Sequence, residues 1–202
     1  MITLYGISWS RSNYVLFTLE ELELDYHVVS YNPFEDEKNN PDYFRLNPLG
    51  QMPTLVDDDF VLTESMAINF YLARKYGANR LWAESLEDEA QIYKWTFYAI
   101  TQLEPHCINL ILHRKALPEQ DRKVTVAKSA EKLLAKPLNV LNDTLDGKAF
   151  LVADRFTIAD INMAGILSYA LNSGFDCAPF PNVQRYLNDI LSRPARKRAE
   201  AA

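Results

Sequence analysis

Strand-type patterning is confined to the front of this chain. Residues 2–5 (Ile-Thr-Leu-Tyr) alternate as a short strand, and residues 26–31 (Tyr-His-Val-Val-Ser-Tyr) are β-branched and aromatic. Thr54–Val56 and Phe60–Leu62 flank a triple-aspartate turn and predict a hairpin. Between the first two strands, Val15, Leu16, Leu19 and Leu22 recur at helical spacing, with Glu20, Glu21 and Glu23 on the other face. A strand, a helix of about three turns and a strand favour a right-handed parallel crossover. Asn32 to Gln51 carries Pro33, Pro41, Pro48 and Gly50 and reads as a loop with one helical turn around Asp42–Leu46. Glu64 to Tyr76 is helical, and Gly77 stands where a C-cap glycine belongs. The order predicted for residues 1–77 is therefore β-α-β, loop, β-β-α.

Past residue 85 only helical periodicity remains. Ile92, Trp95, Ala99, Ile100 and Leu103 form one stripe, continued by Ile108, Ile111 and Leu112 past Pro105, where a kink is expected. Residues 120–145 give an amphipathic helix with Pro137 as a kink or break, and Asp146-Gly147 a turn. Thr157-Ile-Ala-Asp160 has the form of a capping box opening an apolar helix to Leu171. Residues 181–191 make a last full helix, stopped near Pro194. The fold class expected is an α/β unit over residues 1–77 followed by an all-α unit over residues 86–202.

Charge narrows the function. Lys+Arg total 21 against Asp+Glu 27, a net charge of −6, with no basic run before the last ten residues. That argues against a nucleic-acid partner. The longest uncharged stretch, Ile161 to Phe175, contains two asparagines and two serines. It falls short of the roughly 20 apolar residues of a membrane span. No charged segment with a long apolar core opens the chain, so a cytoplasmic setting with Cys107 and Cys177 as free thiols is expected. His106 and His113 lack the carboxylate company of a metal site, so no metal is expected.

Four stretches carry a family resemblance. They are Ser8 to Tyr26, Asn47-Pro-Leu-Gly-Gln-Met-Pro-Thr-Leu55, Leu62-Thr-Glu-Ser-Met-Ala-Ile68, and Phe156-Thr-Ile-Ala-Asp-Ile161. In this order, across one α/β and one helical segment, they resemble the glutathione transferase superfamily, in its bacterial and fungal forms with a serine-type motif. The resemblance implies a thioredoxin-like domain over residues 1–77 that binds glutathione. It implies an all-helical domain over residues 86–202 that holds a small hydrophobic electrophile. It also implies a cytoplasmic homodimer with a role in detoxification.

The chemistry is consistent with the residues. A free thiol titrates near 8.5, so an enzyme using glutathione must stabilise the thiolate. One hydrogen bond to a charged sulfur is worth roughly 1.5–3 kcal/mol, enough for one or two pKa units. A hydroxyl at a helix N-terminus suits that task. Serine-type relatives place the hydroxyl six positions before the Val of the first helix, yet six before Val15 is Trp9. The form Ser-Arg-Ser points to Ser10, with Ser8 next and Arg11 a third candidate, since a cation also stabilises a thiolate. Each serine also reads as a plain helix cap.

For the ligand's backbone and carboxylates, the resemblance implies Gln51 and the Met52-Pro53 pair, with a cis bond and strand-like pairing through Met52. It implies Glu64 at the α-ammonium and Ser65 at the γ-glutamyl carboxylate. Lys38 and Asn39 stand where the glycine carboxylate is met. Asp160 reads as a helix cap rather than a catalytic acid. Two other readings stay open: a glutathione-dependent disulfide or peroxide reductase, and a non-catalytic binding protein on the same fold.

Overall fold

The computed structural model describes residues 1–31, 41–78 and 80–202. They form two compact units. One comprises Met1–Trp82 together with Ser192–Ala202, the other Ala83–Leu191.

The first unit is built on a four-stranded sheet in the order β2-β1-β3-β4. Its strands are β1 (Ile2–Tyr5), β2 (Tyr26–Val29), β3 (Thr54–Asp57) and β4 (Phe60–Thr63). β1 pairs with β2 in parallel, Ile2 opposite Tyr26, across the crossover helix α1 (Ser12–Leu22). It pairs with β3 antiparallel, Leu4 opposite Leu55. β3 and β4 close a hairpin with Asp57 opposite Phe60, so two aspartates make the turn and Asp58 adopts a left-handed φ of 54°. After α2 (Pro41–Leu46) and the hairpin, α3 (Ser65–Tyr76) packs against α1. The interior holds Leu4, Val15, Leu16, Leu19, Leu55, Ile68 and Leu72, all buried. Each such side chain contributes roughly 1.5–3 kcal/mol by leaving water. The expected β-α-β, loop, β-β-α order is observed, with β2 ending two residues early and Tyr31 buried beyond it.

Gly77 does end α3, but not as a left-handed cap: its φ is −124°. A Cβ there would lie 2.6 Å from Leu22 Cδ2 and 3.0 Å from the Ala73 carbonyl. The glycine is required by close approach of α1, not by backbone handedness.

The second unit is helical. It contains α4 (Leu86–Tyr98), α5 (Glu104–Ile111), α6 (Val124–Thr144), α7 (Ile158–Asn172) and α8 (Pro181–Leu191). The break expected at Pro105 takes a definite form. The pitch widens into a π-helical stretch at Ala99–Leu103, and the α-helix resumes with Pro105 in its first turn, where a missing N–H is harmless. Pro137, by contrast, lies inside an uninterrupted α6, and its carbonyl accepts from the Tyr98 hydroxyl at 3.0 Å. α7 is buried along nearly its whole length, as its 15 residues without a charge other than Asp160 require. Among the described residues no helix is long and apolar enough to cross a membrane.

The final helix, α9 (Pro194–Ala201), belongs to the first unit and lies on α1. Ala195 and Ala199 are buried there, and the Arg196 guanidinium stands 6.0 Å over the Phe17 ring.

Candidate functional site

The end of β1 and the start of α1 meet closely because Gly6 has no side chain. A Cβ there would fall 1.9 Å from Ser12 Oγ. The short turn between them holds both candidate hydroxyls, on either side of an exposed Trp9. Ser10 Oγ donates to the Ile7 carbonyl at 2.8 Å, lies 2.9 Å from Ser12 Oγ, and accepts from the Ser12 N–H at 3.1 Å. Its one proton is therefore engaged in shaping the turn. Ser8, half-buried, makes no hydrogen bond to a described residue.

Arg11, the last residue before α1, lines a cleft with Gln51, Met52, Pro53, Glu64 and Ser65. Six of the residues singled out in the sequence thus come together. Ser8 and Ser10 are not part of that lining. Lys38 and Asn39 lie outside the described residues.

Three local features give the cleft its chemistry. Ser65 begins α3, so the first N–H groups of a twelve-residue helix face outward with the positive end of its dipole. The Ser65 hydroxyl has no partner among the described residues. Together they form an anion-binding corner. Glu64 precedes it with φ 69° and ψ 111°, outside the regions a side-chain-bearing residue adopts freely. Such strain, of order 1–3 kcal/mol, persists where the surroundings over-determine it.

The third feature is the Met52-Pro53 peptide, which is cis. It immediately precedes β3, whose first residue, Thr54, pairs with Tyr5. The Met52 N–H and carbonyl make no hydrogen bond to a described residue, so the strand edge ends in an unpaired donor and acceptor.

Sequence patterning missed what lies beneath this edge. Tyr43 and Asn47, both buried, donate to the Gln51 carbonyl at 2.5 and 2.7 Å. Tyr31 stacks on Tyr43 with ring centroids 3.6 Å apart and donates to the Gly50 carbonyl at 3.2 Å. The sequence signals were the aromatics of this stretch and the place of Asn47 at the head of one of the stretches that carry the family resemblance.

In the second unit no group of three metal-ligating side chains gathers among the described residues. His113 Nδ1 accepts from the Lys123 N–H at 3.2 Å. Asp160 is wholly buried and accepts from the Thr157 N–H (2.8 Å), the Thr157 hydroxyl (3.2 Å), the Leu151 N–H (3.0 Å) and the Tyr186 hydroxyl (3.0 Å). Burial raises its pKa to about 6 against these bonds, which lower it. Its role is the capping box the sequence predicts. Cys107 and Cys177 are free and buried, and burial lifts both thiols, Cys107 to about 12 and Cys177 to about 11, which makes them inert.

Comparison with known proteins agrees with this layout. The N-terminal domain family of glutathione S-transferases matches residues 1–74, and the C-terminal domain family matches residues 88–194. Glutathione S-transferase GstB of Escherichia coli is 32% identical over 198 residues, covering 96% of this chain and 95% of its own. Glutathione transferase F7 of Populus trichocarpa superposes with a TM-score of 0.90 at 27% identity, covering 100% and 98% of the two chains. The transferase URE2P5 of Phanerochaete chrysosporium, cocrystallised with 1-(S-glutathionyl)-2,4-dinitrobenzene, superposes with a TM-score of 0.86 at 28% identity, covering 99% and 94%. Matched in both halves and along nearly its full length, the chain belongs to the glutathione S-transferase family and is a transferase.

Proposed function

We propose that this transferase binds glutathione in the cleft of its first unit, stabilises the thiolate and adds it to a small hydrophobic electrophile. The observation that carries the reading is the convergence in one cleft of an unpaired strand edge at Met52 and an unpaired hydroxyl at a helix N-terminus, Ser65. An extended acidic peptide uses both. Its backbone pairs with Met52 like an added strand, and its γ-glutamyl carboxylate meets Ser65 and the α3 N–H groups. Glu64 faces the α-ammonium, and Gln51 touches the ligand backbone. A chain of net charge −6 holds an anion here by local dipoles and hydroxyls.

For the sulfur we favour Ser8 over Ser10, because a hydroxyl must donate to a thiolate and the Ser10 proton already serves Ile7. Arg11 lies on the cleft wall and adds positive charge. The thiol proton leaves to solvent, the sulfur attacks an electrophilic carbon, and a halide or similar group departs with its electron pair. That URE2P5 was cocrystallised with a glutathionyl-dinitrobenzene supports an aromatic electrophile. The reading carries a cytoplasmic homodimer with it, checked by sedimentation.

The test is calorimetry with glutathione, followed by turnover of a chloronitrobenzene and, separately, of a mixed disulfide. Binding with conjugation supports the proposal. Reduction of the disulfide alone transfers it to a reductase, and absence of binding removes it. Ser8→Ala is expected to lower conjugation about 100-fold at neutral pH and Ser10→Ala less than tenfold. The reverse order would assign the role to Ser10.

A further inference from the structure

We infer that Tyr43 and Asn47 are positioning residues for the ligand: by donating to the Gln51 carbonyl they turn the Met52 N–H towards the cleft. The inference rests on the cleft being the glutathione site.

A carbonyl oxygen has two lone pairs, and here both are used. The Tyr43 hydroxyl arrives at 2.5 Å and the Asn47 amide at 2.7 Å. Neither donor is free to swing. Tyr43 is 1% exposed and clamped by its stack on Tyr31, and its hydroxyl also lies 2.8 Å from Thr54 Oγ1. Asn47 is 5% exposed and its Oδ1 accepts from the Leu49 N–H at 3.1 Å.

The Gln51–Met52 peptide is planar and trans, so its N–H points opposite to its carbonyl. Fixing the oxygen on the buried side therefore fixes the Met52 N–H on the other, where it has no partner among the described residues. The Gly50 carbonyl one residue earlier is held by Tyr31. A surface loop that needed only to close could leave both carbonyls to water. Three buried side-chain donors aimed at two consecutive carbonyls instead set the pitch of this segment before any ligand arrives, which lowers the ordering cost of binding.

Tyr43→Phe removes one donor and keeps the ring stack. Asn47→Asp keeps the volume and the acceptor for Leu49 but puts a carboxylate oxygen against the Gln51 carbonyl. Each variant is expected to raise KM for glutathione about tenfold, with kcat at saturating glutathione within twofold of the parent. A role in stability alone would lower the melting temperature and leave KM unchanged, and folded variants with that result overturn the inference. The parent protein supplies a readout that needs no variant. Hydrogen exchange of the Met52 amide, followed by NMR, slows when glutathione binds if the N–H meets the ligand. Unchanged exchange with glutathione bound overturns the inference and leaves the site assignment standing. Failure of the parent to bind glutathione removes the site assignment itself.

Discussion

Arg193 grips Glu21 with two parallel hydrogen bonds, Nε to Oε1 at 2.5 Å and Nη2 to Oε2 at 2.9 Å, across 172 positions of sequence. The carboxylate is 9% exposed and the backbone carbonyl of the same residue accepts from Arg80 at 2.7 Å. Next to it Arg198 reaches the Glu20 carboxylate at 2.5 Å, and Tyr26 donates to the other oxygen at 2.6 Å. These pairs fasten α9 to the last turn of α1. A half-buried bidentate pair is among the stronger ionic contacts, and breaking it strands a charge. Glu21→Ala is expected to destabilise the protein by about 3 kcal/mol in urea unfolding. Removal of residues 192–202 bares the α1 face that α9 covers, and the truncated chain should bind a hydrophobic dye that the parent does not.

Asp57, buried at the end of β3, accepts from Lys75 (2.7 Å), Tyr76 (2.6 Å) and Tyr71 (2.8 Å) on α3. Burial pushes its pKa up, but these three donors outweigh burial and hold the carboxyl below its ordinary value of 3.8. A depressed folded-state pKa gives stability that is present above the unfolded value and lost as pH falls through the folded one. The Asp57 contribution is therefore essentially complete at about pH 5 and declines progressively as pH falls below the ordinary value of 3.8. Asp57→Asn should be less stable than the parent at pH 6, and the gap should narrow at pH 3, in chemical denaturation at each pH.

Asp160 has the opposite sign. Its folded pKa stands near 6, raised by burial from 3.8. Between these values the folded chain binds more protons than the unfolded one, so this residue's contribution falls as pH rises from about 4 to 6. Asp160→Asn removes that slope. It also leaves either the Thr157 or the Leu151 N–H without its acceptor, because these two bond to different carboxylate oxygens and the amide keeps only one. A loss of about 2–4 kcal/mol is expected, with a flatter stability profile between pH 4 and 6 than the parent shows.

Local pattern made the strands and most helices legible. Alternation marked Ile2–Tyr5, and the aspartate run marked the β3–β4 turn, because both are set by neighbours in sequence. Neither α9 nor its destination was legible: the last full helix expected stops near Pro194, and no local signal joins Glu21 to Arg193. At the site, motif order brought Gln51, Met52, Glu64 and Ser65 to one cleft. Which serine proton is free was hidden, because it depends on whether the Ile7 carbonyl turns towards Ser10. Tyr43 and Asn47 were hidden for the same reason: their effect runs through a backbone carbonyl four residues or more away.

Glu64 sets stability against function within a single residue. Its φ of 69° and ψ of 111° suit glycine far better than a residue with a Cβ. Glu64→Gly relieves that strain, worth roughly 1–3 kcal/mol, and part of the gain is offset by the greater freedom of glycine in the unfolded chain. The net expectation is a melting temperature a few degrees above the parent, at roughly 2–4 °C per kcal/mol for a chain of this size. The same change removes the carboxylate proposed to meet the α-ammonium of glutathione, so KM should rise at least tenfold. Glu64→Gln separates the two effects. It keeps the strained backbone and loses only the charge, so its melting temperature should match the parent while its KM rises. A Glu64→Gly variant that melts lower than the parent would show that the positive φ is not a source of strain here, and an unchanged KM in both variants would take Glu64 out of the binding site.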